Sequence, residues 1–293
     1  MNEITEIFNK YSNIDLSEFS KTEIELNEFI IKFSKDLGEL IDLLSRVINH
    51  ETHPNYYNLN ESTIVGSITR IVKFYQEYIK YQELNKQEIQ SLFMRPMYES
   101  FIITKYLIKN GTESQENFRL VSYRARYQNF KKLMEFDNKE HPIIKRQLIK
   151  LETKLNVDGF TMDDLESENN KPYNKKWKLD GKSFRAINSE VDNDDLYSFI
   201  YGVGSDAVHG NWQEIIDFHL TRKENGYFGF LNYEKCDCRV IVPMNSIVIE
   251  SLLEFMNWNK CLTKEIENGL TKMNKFSNSF YTIWEEKFGE TLK

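Results

Sequence analysis

Tyr201, Ser205 and His209 recur at four-residue spacing within the stretch YGVGSDAVHG. On an α-helix this spacing gives a slowly turning polar stripe whose members can face one cavity. The same stretch contains Gly202 and Gly204, which each cost about 1 kcal/mol in a helix relative to alanine. Such a cost usually means that another backbone or a ligand comes close, so the stripe is a candidate site.

His209 is the residue of this stripe best suited to move a proton. Gly210 follows it as the expected helix stop, and the negative end of the helix dipole favours a protonated imidazole there. The position suits a proton donor or a phosphate contact. In the alternative interpretation His209 caps the last helical carbonyls, and Ser205 and Tyr201 hydrogen-bond within the core.

Arg95 and Glu99 stand four residues apart in an otherwise largely apolar helical segment. The helix leaves them little polar surface to occupy, so we expect them to be mostly buried and directly paired. Pro96 predicts a kink that would aim the guanidinium sideways. With Ser205 and His209 they form the predicted catalytic group, and a purely structural ion pair is the alternative.

A third polar element is RLVSYRARYQNF, in which Arg119, Tyr123 and Arg126 are helix neighbours. Arginine beside tyrosine can bind a phosphate and stack on a base. With Tyr201 they form the predicted ligand-binding group, and we expect Arg126 to share one pocket with His209. An ordinary exposed helical face is the alternative.

The elements that carry these residues are predicted to be helices, because Leu, Ile, Phe and Tyr recur at three- and four-residue spacing between few Pro and Gly residues. The expected helices are approximately 17–48, 62–83, 86–109, 115–138, 142–155, 194–209, 243–269 and 273–287. Asn225-Gly226, between two aromatic-rich runs, predicts a β-hairpin near 215–233. The predicted fold class is an all-α, mainly helical bundle with one small β-hairpin.

The chain is expected to form a single helical domain over 1–293. The predicted order is a long N-terminal helix within 1–60, a helical core at 61–155, an irregular connection at 156–182 with one short helical turn, and C-terminal helices with the hairpin at 183–293.

Composition narrows the function classes. The net charge is −7, which opposes broad attraction to nucleic acid or to an anionic membrane. We expect a cytoplasmic protein without a membrane segment, whose Cys236, Cys238 and Cys261 are reduced thiols. Five scattered histidines and the absence of nucleotide-loop and zinc-protease motifs predict no metal site and no bound cofactor.

A family resemblance becomes visible when the motifs are taken in order. R-x-x-x-E at Arg95, Tyr-Arg-x-Arg-Tyr, a connection containing Trp177, and Y-x-x-x-S-x-x-x-H-G ending at Gly210 resemble an uncharacterised family of helical bacterial proteins over about 65–265. The chain is also similar to the HEPN superfamily of helical ribonucleases and nucleotide-binding proteins. That resemblance implies a role in bacterial stress or phage defence, although the arginine of the HEPN nuclease motif has no counterpart before His209.

We therefore expect the chain to bind a phosphate-bearing ligand, either a nucleotide or RNA. Metal-independent cleavage of RNA is left open, as are a protein partner and a homo-oligomer. The alternative is a non-enzymatic interaction module whose polar cluster only fixes helix packing.

Overall fold

The structure, a computed structural model, describes residues 2–12, 14–16, 22–54, 56–136, 142–166, 177–192 and 196–289. The chain divides into two compact units. The first unit comprises Met1–Asn55, Val65–Lys105 and Asn193–Lys293, and the second comprises Tyr56–Ile64 and Tyr106–Asp192. Both are predominantly helical, which confirms the predicted fold class, whereas one domain over 1–293 stays a prediction.

The elements follow one another along the chain with short connections. The helices are α1 Asn2–Tyr11, α2 Glu23–Ser45, α3 Ser62–Glu83, α4 Gln87–Ser91, α5 Met94–Phe136, α6 Pro142–Val157, α7 Met162–Glu166, α8 Phe184–Val191, α9 Gly202–His209, α10 Trp212–His219, α11 Ile241–Trp258 and α12 Lys264–Phe288. A π-helical turn at Tyr197–Tyr201 leads into α9. The strands β1 Leu220–Lys223 and β2 Gly226–Gly229 form an antiparallel hairpin.

The core of the first unit contains a polar network among its apolar side chains. Asn245 on α11 accepts hydrogen bonds through Oδ1 from the hydroxyls of Tyr75, 2.5 Å away, and Ser34, 3.3 Å away. Its Nδ2 donates to Ser277 Oγ at 2.9 Å. All four side chains are fully buried. The network therefore links α2, α3, α11 and α12, and each member is satisfied by the others.

The N-terminal helix differs from its predicted extent. Helix α2 begins after Thr22, whose hydroxyl accepts from the backbone N–H of Glu25, and the residues expected to start it at 17–21 lie outside the described part. Its predicted apolar stripe is buried with the exception of Ile24, which is exposed. The short helix α1 was not predicted.

The predicted kink at Pro96 is wrong, because α5 begins only at Met94. Pro96 lies in the first helical turn, where its missing N–H removes no intrahelical bond. The predicted stop at Asn110-Gly111 is confirmed in part: Gly111 has φ 72° and ψ −155°, outside helical geometry, but helical structure resumes directly after it.

The C-terminal boundaries also need correction. Residues 215–219 belong to α10 and not to the hairpin, because Asn211 caps that helix by accepting from the N–H of Glu214 at 2.8 Å. The last two helices separate at 259–263 and not near 270, because Lys260 has φ 55° and Thr263 caps α12. The short helical turn expected in 156–182 is α7, and 167–176 lie outside the described residues.

The segment Cys238–Trp258 is long and apolar enough to cross a membrane by length and composition alone. Two thirds of its most apolar stretch, 67%, is buried inside the protein. That burial is what the central helix of a packed bundle shows, and most of its side chains pack within the first unit.

Candidate functional site

The predicted site begins with a close approach of two helices in the first unit. A Cβ atom placed on Gly204 would lie 2.7 Å from Arg95 Cβ and 2.8 Å from Arg95 N, closer than real contacts of this kind. Helix α9 therefore touches the start of α5 through a position that has room only for hydrogen. The close backbone approach expected at these glycines is confirmed for Gly204, whereas Gly202 has nothing within 4 Å.

This contact places the Arg95 guanidinium between three groups. Nε donates to Glu99 Oε1 at 2.9 Å, which confirms the predicted pair, and Nη1 donates to Ser205 Oγ at 3.3 Å. The guanidinium carbon lies 4.4 Å from the centre of the Tyr201 ring, within the range of a cation–π contact. The sequence therefore identified four residues that the fold brings together across 110 positions.

The pair is only partly buried, because 23% of the Arg95 side chain and 33% of the Glu99 side chain stay exposed. Burial lowers the pKa of the Arg95 guanidinium, but the hydrogen bond and charge of Glu99 and the nearby Tyr201 outweigh it, so the net shift is upward. Arg95 is thus a permanently charged group with a fixed orientation and access to solvent.

A stacked pair of tyrosines continues the site. The rings of Tyr197 and Tyr201 are 4.9 Å apart and nearly parallel, at an interplanar angle of 12°. Both belong to the π-helical turn, whose wider winding brings residues four apart nearly into line. Such turns occur frequently at functional sites. The result is a partly exposed aromatic surface next to a fixed guanidinium.

His209 lies at the exposed end of the stripe. Gly210 adopts the left-handed conformation, φ 58° and ψ 55°, and donates to Asp206 O at 2.9 Å, which confirms the predicted helix stop. The His209 side chain is exposed, and among the described residues no hydrogen bond to its ring is found. The capping alternative for His209 is therefore not supported by a side-chain contact.

Arg119 and Tyr123 belong to the second unit and are held by its own groups. Arg119 Nη2 donates to Asn60 Oδ1 at 2.7 Å, and Nη1 donates to the carbonyl of Asp158 at 3.1 Å. Tyr123 donates to Asp158 Oδ2 at 2.6 Å. The Arg119 guanidinium also lies over the Phe160 ring at 4.9 Å. These contacts favour a structural role, and ligand binding by the two residues stays a prediction.

Arg126 is exposed on α5, whereas Arg124 is buried and donates to the carbonyl of Asp164 at 3.1 Å. The pattern separated these two arginines correctly into opposite faces. The predicted pocket shared by His209 and Arg126 joins residues of different units and stays a prediction.

We expect the second unit to lose stability as pH rises from about 10 to about 12. Burial, aided by the hydrogen bond to Asp158, raises the pKa of Tyr123 to about 12. The unfolded chain ionises this tyrosine near pH 10, so alkaline pH favours unfolding across that interval. Tyr123→Phe should give a shallower fall of Tm with alkaline pH.

Thermal melts across this alkaline interval, with phenolate absorbance as a second readout, measure the effect. Tyr56→Phe changes a ring that is largely exposed and serves as the control. An unchanged slope in Tyr123→Phe would contradict the expectation.

A polar cluster of the second unit was missed by the sequence reasoning. Asp180 Oδ2 accepts from Tyr106 at 2.9 Å and from Ser114 at 2.5 Å, and Lys182 Nζ lies 3.2 Å from Tyr106 Oη. The signal was available in the sequence, because Asp180-Gly181 forms a tight turn with φ 50° and 74°. The cluster fastens this turn to α5.

The cysteine pair is poorly suited to binding a metal. Burial raises the pKa of both Cys236 and Cys238 to about 12, and metal binding requires the thiolate. No group of three or more His, Cys, Asp or Glu side chains arranged to hold a metal ion is found in the described ranges.

Two cavities of the first unit lie away from the predicted site. One, of about 620 Å³, lies between α1, α2 and α3, and the other, of about 230 Å³, lies between α1 and α12. Neither is lined by a predicted site residue.

Comparison with known proteins gives one match, to a family model described as a family of unknown function (DUF5677). No curated protein and no solved structure matches the chain. The matched residues, 61–227, include every predicted site residue from Arg95 to His209. Because the match covers more than half of the 293 residues, the chain belongs to family DUF5677.

Proposed function

We propose that Arg95, Glu99, Tyr197, Tyr201 and Ser205 form a binding site for the phosphate and base of a nucleotide or of single-stranded RNA. The observation that carries the proposal is the Arg95 guanidinium, which is oriented by a carboxylate, a hydroxyl and a ring while 23% of its side chain remains exposed. An arginine fixed in this way loses little conformational entropy when it binds an anion.

The arrangement suits a ligand that has both charge and an aromatic ring. Arginine donors match phosphate oxygens, and a tyrosine ring face can stack on a base. The stacked Tyr197 and Tyr201 give such a face beside Arg95. Because the chain has a net charge of −7, we expect binding to depend on this local geometry and to weaken with added salt.

Cleavage of RNA would require a proton-transfer group, and His209 is the candidate. It follows Ser205 by one helical turn, about 6 Å along α9. An exposed imidazole at that distance can act as a metal-independent acid or base on a bound backbone. A cytoplasmic role in bacterial stress or phage defence is part of the proposal and derives from the HEPN resemblance alone.

A second candidate function is protein interaction, with the cluster acting only in helix packing. The contact of Gly204 with the Arg95 backbone favours it, since the same residues fix α9 against α5. The two candidates differ in what an Arg95 substitution does: loss of ligand binding in one, and loss of stability alone in the other.

Native mass spectrometry of the purified full chain would first show any bound nucleotide or RNA. Fluorescence anisotropy with a labelled single-stranded RNA, and competition by ADP, would then compare Arg95→Gln with Arg70→Gln. Arg70 is a matched control, because it also donates to a serine, Ser100 Oγ at 3.1 Å, and lies over the ring of Phe74 at 4.9 Å.

We expect Arg95→Gln to weaken binding by about tenfold or more, as loss of a charged phosphate contact does, and Arg70→Gln to leave it unchanged. Wild-type protein that binds neither probe, or equal binding by both variants, would overturn the proposal and leave the packing role.

His209→Asn separates its functional role from a structural one. The side chain is exposed and Gly210 provides the helix stop, so we expect Tm to stay within about 1 °C of wild type. RNA cleavage by wild type that is lost in this variant would assign His209 to the reaction. A lower Tm with unchanged activity would remove His209 from the site.

A further inference from the structure

The β-hairpin leaves one polar backbone edge without a partner. The register pairs Thr221 with Phe228, and Phe230 N donates to His219 O at 2.8 Å. Because hydrogen-bonded and non-bonded pairs alternate in an antiparallel ladder, the N–H and C=O groups of Tyr227 and Gly229 point away from β1. Within the described ranges no backbone hydrogen bond reaches these groups.

The strand is also exposed on both faces. All four residues of β2 are exposed, and its Tyr227 and Phe228 rings are each about half accessible to solvent. A two-stranded hairpin alone is at best marginally stable in water, so this geometry suits a strand that gains a third neighbour.

We propose that β2 pairs antiparallel with β2 of a second copy of this chain, giving a symmetric dimer with a continuous four-stranded sheet. The sequence GYFG is self-complementary in this register. Tyr227 of one copy lies opposite Gly229 of the other and exchanges two backbone hydrogen bonds with it. The symmetry-related pair adds two more, so that the outward N–H and C=O groups of Tyr227 and Gly229 are satisfied on both copies.

Side chains fit the same register. Phe228 lies on the two-fold axis in a non-hydrogen-bonded pair, where opposite side chains come closest and two aromatic rings can stack. On the other face, the Tyr227 ring lies over Gly229 of the second copy, which has no side chain to exclude it. Lys223 is already 5.4 Å from the Phe228 ring and flanks the axial pair.

Charge selects β2 over β1 for this contact. The β2 sequence has no charged residue, so two copies meet without repulsion. Self-pairing of β1 would bring Arg222 and Lys223 against the same residues of the second copy, which is how natural edge strands avoid association.

Neighbouring apolar side chains extend the surface. Trp212, Tyr233 and Leu231 are at least half exposed, and Trp212 contacts Tyr227 with ring centres 6.5 Å apart. The exposed parts of the aromatic side chains in this surface amount to about 400 Å², roughly half of what one partner buries in a standard interface. We therefore expect a weak dimer with a dissociation constant in the micromolar range.

The test is the mass of the full chain in solution, measured by light scattering and native mass spectrometry over the micromolar range. Tyr227→Pro removes an outward N–H that the hairpin itself does not use. Arg222→Pro is its matched control, because residue 222 is the cross-strand partner of 227 and its N–H points to the other edge.

We expect wild type and Arg222→Pro to form dimers and Tyr227→Pro to associate at least about tenfold more weakly. Phe228→Lys and Phe228→Glu should each be monomeric, whereas their mixture should restore a mixed dimer, which a misfolded hairpin would not do. A wild type that stays monomeric throughout, or equal dimerisation of the two proline variants, overturns the proposal without bearing on ligand binding at Arg95.

Discussion

Gly204→Ala should lower the free energy of unfolding of the first unit by about 2–4 kcal/mol, an overpacking cost at the upper end of its usual range. The added methyl would lie 2.7 Å from Arg95 Cβ and 2.8 Å from its backbone nitrogen. Neither atom is the flexible end of a side chain, so α9 must move away from α5. That movement would also lengthen the 3.3 Å contact between Arg95 Nη1 and Ser205 Oγ.

The matched control is Gly202→Ala in the same segment. Gly202 has ordinary helical angles, φ −63° and ψ −61°, and nothing lies within 4 Å of an added Cβ. We expect it to stabilise the protein by about 0.5–1 kcal/mol through lower backbone entropy of the unfolded chain. Urea denaturation followed by circular dichroism compares the two, and equal effects would contradict the close approach at Gly204.

Asn245→Ala should cost about 3–5 kcal/mol, since it combines a cavity with stranded polar groups. The substitution removes the acceptor of the Tyr75 hydroxyl and the donor to Ser277. Both partners are fully buried and have no access to replacement water from the surface. Asn245→Leu restores some volume but leaves the same hydroxyls without Asn245, so it should remain strongly destabilising.

Ser246→Ala is the neighbouring control. Its hydroxyl donates to Asn274 Oδ1 at 2.8 Å, but this residue is only half-buried and water can replace the bond. We expect a cost below about 1 kcal/mol. If Asn245→Ala and Ser246→Ala unfolded at the same urea concentration, the buried network would not contribute as described.

Local patterns predicted the parts of the structure that depend on residues near in sequence. The R-x-x-x-E spacing is enough to bring Arg95 and Glu99 together, because residues four apart are neighbours on any helix. Gly210 follows from the same logic, as a helix end needs a residue that tolerates positive φ. The apolar stripe of α2 was predicted with one wrong member, Ile24.

Contacts between distant segments were beyond this reasoning. The spacing of YGVGSDAVHG indicated that something approaches Gly204, but the identity of Arg95 as that neighbour depends on how α5 and α9 pack. The connection after α11 was misplaced, because the predicted boundary relied on apolar spacing and missed the cap at Thr263. The buried Asn245 looked like an ordinary polar residue among apolar ones.

The thiol environments make the protein suited to selective chemical labelling. With a pKa of about 12, Cys236 and Cys238 hold only on the order of 10⁻⁵ of their molecules as thiolate at neutral pH, and both are buried. Cys261 is partly exposed, in the connection between α11 and α12. A maleimide dye should therefore attach to Cys261 alone, which gives the native sequence a single optical reporter on the bundle.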